Sequence, residues 1–413
     1  MLESPPNRVK GFAGKGPASA GAKEQRLSRT DGFLTRLIDF FSSLRLTVAC
    51  LFLGLILIFW GTLAQVDLGL LKAQNEFFRS RLIYWGPQGA TWKIPIFPGG
   101  YLVGGLLLIN LVTAHFTRFK WTRKKIGIWI THIGIIMLLL GQLLTDMLSQ
   151  ETVLHLREGE TKNYSETERK AELAVIDVTD SNFDTVVAIP QNLLAVRSDI
   201  RRPELPFTVR VKEFYANSQP TERQPDSQEP PAASRDIGAR VAIRELPRVT
   251  DMDHRDMPSG VVEIITPEGS IGTWLVSEFI EKAQSITVGN RTFELALRRA
   301  RHYKTANFTL LKFSHDVYRG TDIPKNFSSR VLLNRPDTGE KREVLIYMNN
   351  PLRYQGETYY QASLDPDDHG TVLQVVHNPS WLTPYLSCIL VAAGLLVQFL
   401  THLIGFTRKR IMT

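Results

Sequence analysis

The sequence predicts an integral membrane protein: four transmembrane α-helices plus a large β-rich extracytoplasmic domain inserted between helices 3 and 4. Three observations carry that expectation. Four apolar stretches are each long enough to cross hydrocarbon about 30 Å thick, which takes about 20 helical residues. Basic residues cluster at one end of each stretch in a way that alternates along the chain. The 147–382 segment is polar and is broken into short alternating runs.

The first stretch, Leu46 to Ala64, carries no charge. The second runs from Ile94 to Phe116, uncharged between Lys93 and Arg118, and its helix is placed at about 96–116. The third, Ile126 to Thr145, is bounded by Lys125 and Asp146. The fourth has its core from Thr383 to Phe406 and leads into a short basic tail ending at 413. Trp60, Trp92, Tyr101, Trp121, Trp381 and Tyr385 stand near stretch ends, where amphipathic rings suit the interface. A long basic segment precedes the first stretch and no small-x-small site follows it, so a retained anchor is expected and not a cleaved signal. Residues 1–42 read as a disordered basic cytoplasmic tail, and 43–146 as the three-helix segment.

Charge gives the orientation. The N-terminal tail, the loop around Arg118–Lys125 and the C-terminal tail hold 16 Lys and Arg against four acids. The outer segment, 147–382, holds 29 basic and 34 acidic residues. The net charge of +8 is therefore a topology signal: both termini are placed in the cytoplasm and the large domain outside. That distribution suits a lipid bilayer with an anionic inner leaflet and removes a nucleic-acid reading. The two cysteines form no CxxC, CxxCH or zinc set, which excludes a CxxC thiol oxidoreductase and a covalent c-type haem carrier.

The outer segment reads as strands. Lys170 to Val178 and Thr185 to Ile189 are apolar runs, and Phe207 to Val211 alternates with period two. Val261 to Thr266 and Ile271 to Val276 flank the turn Pro267–Ser270. Val331 to Asn334 and Val344 to Met348 form a further hairpin candidate, followed by Thr358 to Ala362 and Thr371 to Val376. Such spacing predicts a sandwich or a partly closed barrel. Residues 217–237, with Pro220, Pro225, Pro230 and Pro231, read as a disordered insertion.

Ionisable groups inside spans are costly and mark function. His115, His132 and His402 qualify by position. His115 and His402 lie close enough to Arg118 and Arg408 to reach the inner interface. His132 has three readings: a neutral imidazole bonded to a neighbouring helix, an axial ligand to haem iron, or part of a proton relay. The relay needs acidic partners, and no Asp or Glu lies inside any span, which also argues against an ion-coupled transporter. Gly100 and Gly104 form a GxxxG, expected to pack helices closely. Cys50 and Cys388 read as small buried apolar residues. The outer histidines, 155, 254, 302, 315, 369 and 377, share no metal-ligand spacing, and no catalytic motif appears.

Several stretches carry a family resemblance. They are Ser43–Thr47 with Gly61-Thr62; Ala73–Phe78 (AQNEFF); Ile94–Gly100 (IPIFPGG); Asn110-Leu111; and Lys125–Gly134 (KIGIWITHIG) with Gly141. Late in the outer domain come Tyr318–Ser329, Met348–Tyr354 and Thr358–Ser363. In this order the chain resembles the ResB-like family of membrane proteins in type II cytochrome c maturation. The resemblance spans roughly 40 to 407 and leaves out the tail and the Pro-rich insertion.

The resemblance implies a subunit of the bacterial cytoplasmic membrane that helps move haem across it. Haem b would be bound transiently and presented, reduced, for attachment to apocytochrome c. It implies His132 as a haem-iron ligand, with His115 and His402 as weaker candidates. It also implies a Trp-rich, haem-handling membrane partner, since no WGxxWxWD-like segment occurs here. The chain thus resembles the ResB half and not a fused form, and no catalytic residue is assigned to it. The competing expectation is a membrane-anchored extracytoplasmic binding or sensor module without haem.

Overall fold

The computed structural model describes residues 32–87, 92–118, 122–224, 229–321, 324–365 and 369–411. These fall into two compact units. One holds the described residues up to 63, 75–140 and those from 383 onward. The other holds 64–74 and 141–382.

The first unit is helical. Among the described residues, four helices are long and apolar enough to cross a membrane. They are α1 (Leu44–Leu68), α2 (Gly100–Arg118), α3 (Ile126–Leu148) and α4 (Thr383–Ile411). The second begins later than its apolar stretch. Ile94–Pro98 is a strand, paired antiparallel with Leu82–Trp85. Pro95 and Pro98 explain the difference, because each lacks an N–H and clashes with a preceding helical turn. The tail expectation is also corrected in part: residues 32–41 are helical, while 1–31 lie outside the described residues.

Three of the sequence motifs meet at one end of α1 and α2. A π-turn over Gln74–Phe78 brings Phe77 and Phe78 against α1. A Cβ on Gly61 would lie 2.6 Å from the Phe78 ring, so only glycine lets the ring sit there. Trp60 packs edge-on to Phe77 at 5.3 Å and to Phe97 at 5.9 Å. Gly100 sits against the Phe78 backbone, which starts α2.

Close helix packing lies elsewhere than the GxxxG pair. A Cβ added to Gly104 or Gly105 would meet nothing within 4 Å. Instead α3 and α4 approach backbone to backbone. A Cβ on Gly127 would lie 2.6 Å from the Gly394 carbonyl, and one on Gly134 would lie 3.0 Å from the Ser387 carbonyl. Spacing alone cannot say which small residue faces a helix and which faces outward.

The second unit is built from antiparallel strands. A ten-stranded sheet runs Glu340–Tyr347, Pro324–Arg335, Arg291–Val317, Thr161–Asp177, Gln150–Arg157, Gly370–His377, Glu357–Leu364, Leu352–Tyr354, with two further strands on its middle. A four-stranded sheet runs Gly269–Ser277, Ser259–Thr266, Thr208–Tyr215, Asp199–Ile200. Both expected packings occur. The four-stranded sheet covers one half of the large one, with Val209, Val211, Val262, Ile264 and Trp274 against Leu173, Val175, Phe293 and Leu295. The other half curls, so that Phe308, Leu310, Leu333 and Ile346 share a core with Leu154, Leu156, Tyr359 and Leu373. The strand Arg291–Val317 serves both cores.

The Pro-rich insertion is more ordered than expected. Ser218–Glu222 pairs with Val241–Glu245. Asn217 anchors this hairpin: its Nδ2 donates to the Pro247 carbonyl at 2.6 Å, and its Oδ1 accepts from the Met257 N–H at 2.9 Å. Residues 225–228 lie outside the described ones.

Candidate functional site

The candidate site is a cluster of rings between α2 and α3. His115 stands near the end of α2 and is buried, with 3% of its surface exposed. Trp129 and His132 stand on α3, three residues apart, which puts them on one helical face. The Trp129 ring lies edge-on to His115 with centroids 3.9 Å apart. The two imidazoles lie 6.1 Å apart with their planes inclined by 29°. Phe116 adds an edge contact to His115 at 6.1 Å.

The tautomer of His132 follows from its partner. Its Nδ1 lies 2.8 Å from the Ile128 carbonyl one turn earlier. A carbonyl only accepts, so Nδ1 carries the proton and donates it. The ring's lone pair is then on Nε2, the arrangement in which an imidazole ligates iron or zinc. The register of α3 that presents Trp129 and His132 is set by Gly127 and Gly134 against α4.

His402 stands apart from the pair. It is exposed on α4 and packs against Gln398 one turn earlier, with 2.7 Å between their nitrogens. Of the three histidines the sequence singles out, the structure brings together His115 and His132. Trp129 stands in the KIGIWITHIG motif without a role assigned from sequence; its i, i+3 spacing to His132 was the available signal.

The outer histidines are dispersed. His155 bonds Asp365 at 2.7 Å, and His254 bonds Asp251 at 3.0 Å in an exposed loop. His302 lies 2.9 Å from the Thr167 hydroxyl, and burial lowers its pKa. His315 stacks on Phe327, and His377 contacts the Gly356 carbonyl. Among the described residues, no three His, Cys, Asp or Glu side chains gather as a metal-ion site. Cys50 is buried in α1, whereas Cys388 is exposed on α4.

Comparison with known proteins bears on the β unit first. Residues 271–371 match the ResB-like family, a range that includes the long strand Arg291–Val317 and most of the curled half of the large sheet. Protein NrfI of Wolinella succinogenes is 27% identical over 303 residues, covering 72% of this chain and 29% of that protein. The chain thus spans about three tenths of the length of that curated relative. The chain is thus similar to the ResB-like family over residues 271–371 and to NrfI over a longer stretch.

Proposed function

We propose that this chain is a cytochrome c biogenesis subunit of a bacterial cytoplasmic membrane, which takes haem into its span bundle as cargo. In this reading it presents the haem for covalent attachment to apocytochrome c, together with a Trp-rich membrane partner. The ResB-like match supports the biological setting. The ring cluster supports the chemistry.

The observation that carries the reading is the state of His132. Its Nδ1 is committed to a carbonyl of its own helix, which fixes the ring orientation and leaves Nε2 as the ligating nitrogen. A second imidazole, His115, lies within 6.1 Å, and an indole closes one side. One or two neutral imidazoles in an apolar wall are what a haem iron requires for retention. A porphyrin is flat and aromatic, and Trp129 and Phe116 supply aromatic surface beside the histidines. With haem bound, His132 would supply the iron ligand and His115 the neighbouring imidazole. The arriving haem would meet these groups near the Arg118 and Lys125 ends of α2 and α3, the side assigned to the cytoplasm by charge.

The test is haem content. The chain is co-purified with its membrane partner, and the Soret and α-band absorption is recorded per mole of complex. His132→Ala is expected to lose most of the bound haem. A variant that keeps full haem content and unchanged bands contradicts the proposal.

A further inference from the structure

Residues 32–41 form a helix whose apolar side chains are uncovered. Phe33 is 69% exposed, Leu34 56%, Leu37 41%, Ile38 37% and Phe40 57%. At 100° per residue these five fall on one side of the helix together with Phe41, and Thr35, Arg36 and Asp39 fall on the other. A contiguous apolar face of this kind is unstable in water and marks a contact surface.

The position of the helix is fixed by polar contacts at its end. The Asn110 amide, 1% exposed on α2, donates to the Phe41 carbonyl at 2.6 Å and to the Ser43 carbonyl at 3.0 Å. Its Oδ1 accepts from the Thr47 hydroxyl on α1 at 2.6 Å. Arg118, the last residue of α2, donates from Nε to the Ser42 hydroxyl at 3.2 Å. The break between the 32–41 helix and α1 is therefore held beside the charged end of α2. That end is where the apolar stretch stops, so the helix begins at the depth where hydrocarbon gives way to headgroups.

Residues 1–31 hold six Lys and Arg against three acids in sequence, and Arg118, Arg123, Lys124 and Lys125 lie at the same end of α2 and α3. Such a surface attracts anionic lipid. We propose that residues 32–41 lie in the plane of the membrane interface, with Phe33, Leu34, Leu37, Ile38 and Phe40 in the acyl boundary and Arg118, Arg123, Lys124 and Lys125 beside anionic headgroups. The occupant of the apolar face is lipid. The inference goes beyond the proposed function and does not depend on haem.

The test uses the full chain with Cys50→Ala and Cys388→Ala, reconstituted in phosphatidylcholine vesicles with and without phosphatidylglycerol. Single variants Phe33→Cys, Arg36→Cys, Leu37→Cys, Ile38→Cys and Asp39→Cys are spin-labelled on exposed positions. Collision with oxygen, which partitions into lipid, is compared with collision with a water-soluble nickel chelate. The expected result is an oxygen-to-nickel ratio several-fold higher at 33, 37 and 38 than at 36 and 39, rising further with phosphatidylglycerol. Equal nickel access at all five positions would overturn the proposal. So would protection from both reagents at 33, 37 and 38, which is the mark of a protein partner on that face. A ratio unaffected by phosphatidylglycerol would overturn the assignment to anionic headgroups.

Discussion

The hydrogen bond from His132 Nδ1 to the Ile128 carbonyl, 2.8 Å long, decides what that residue offers. It holds the ring against its own helix and leaves a single nitrogen for ligation. Asn110 shows the same logic without chemistry: each polar atom of its amide is matched in a buried place. Replacing Asn110 with Ala withdraws the donor from two carbonyls and the acceptor from Thr47, a loss of about 1–3 kcal/mol. Asn110→Ala is expected to lower the thermal midpoint of the detergent-solubilised protein and to release the 32–41 helix, read as increased mobility of a spin label there. An unchanged midpoint and mobility would contradict the role given to Asn110. His132 was legible in the sequence as an ionisable group inside an apolar stretch, and Asn110 only as part of the Asn110-Leu111 motif. The partners of neither were: His132 was read as bonded to a neighbouring helix and instead bonds the Ile128 carbonyl of its own. Those of Asn110 stand 63 to 69 residues away, beyond any local pattern.

At the scale of elements, the α3–α4 contact is set by glycines that only a structure distinguishes from their neighbours. Gly394 lies with its Cα against Gly127 and Thr131, whereas Gly104 has open space beside it. Gly394→Leu forces an overpacked contact costing roughly 1–3 kcal/mol, and Gly104→Leu is expected to leave stability unchanged. Thermal melts of the two variants check this contrast; equal destabilisation would contradict it. Gly100 and Gly104 have the right spacing for helix packing, but spacing carries no azimuth. In the β unit, most apolar runs read from sequence became strands with bounds extended by a few residues. The longest strand, Arg291–Val317, was not read from sequence, because Arg298 to Lys304 interrupts its alternation with charge. Those charges are matched across the ladder: Arg298 pairs with Glu172 at 3.0 Å and Arg301 with Glu166 at 3.2 Å. A strand stabilised by cross-strand ion pairs carries no apolar signature over that part.

A buried carboxylate in the same unit gives a pH dependence with a definite sign. Burial pushes the Glu278 carboxyl above its ordinary value of 4.5, while Arg255 pulls it the other way. The folded chain therefore holds this proton to a higher pH than the unfolded chain. As pH rises from 4.5 through the raised value, Glu278 loses part of its contribution to stability. Thermal midpoints of the wild type and Glu278→Gln, measured stepwise from about pH 4 to about pH 8, are expected to diverge across that interval, with the wild type losing ground. Parallel curves would contradict the assignment.

For the whole molecule, the family signal and the candidate chemistry stand in different units. The ResB-like match covers 271–371, in the β unit, whereas His115, Trp129 and His132 belong to the helical unit. The net charge of +8 was read as an average over segments of opposite balance, and the structure partitions the chain along similar lines, into apolar helices and a polar β unit. Hydrophobicity over 20 residues is a strong local signal, so the four helices were legible. Sheet order depends on pairings such as Gln150–Arg157 with Gly370–His377, more than 200 residues apart, and was not. The central claim is that His132 holds haem as a ligand and not merely as a packed side chain. Absorption spectra of the co-purified complex carrying His132→Ala, recorded before and after adding free imidazole, test it most directly, with His402→Ala as the comparison. The expected result is haem loss and altered bands in His132→Ala, restoration by imidazole, and wild-type bands in His402→Ala. Full haem with unchanged bands in His132→Ala, or a loss that imidazole does not restore, would contradict it.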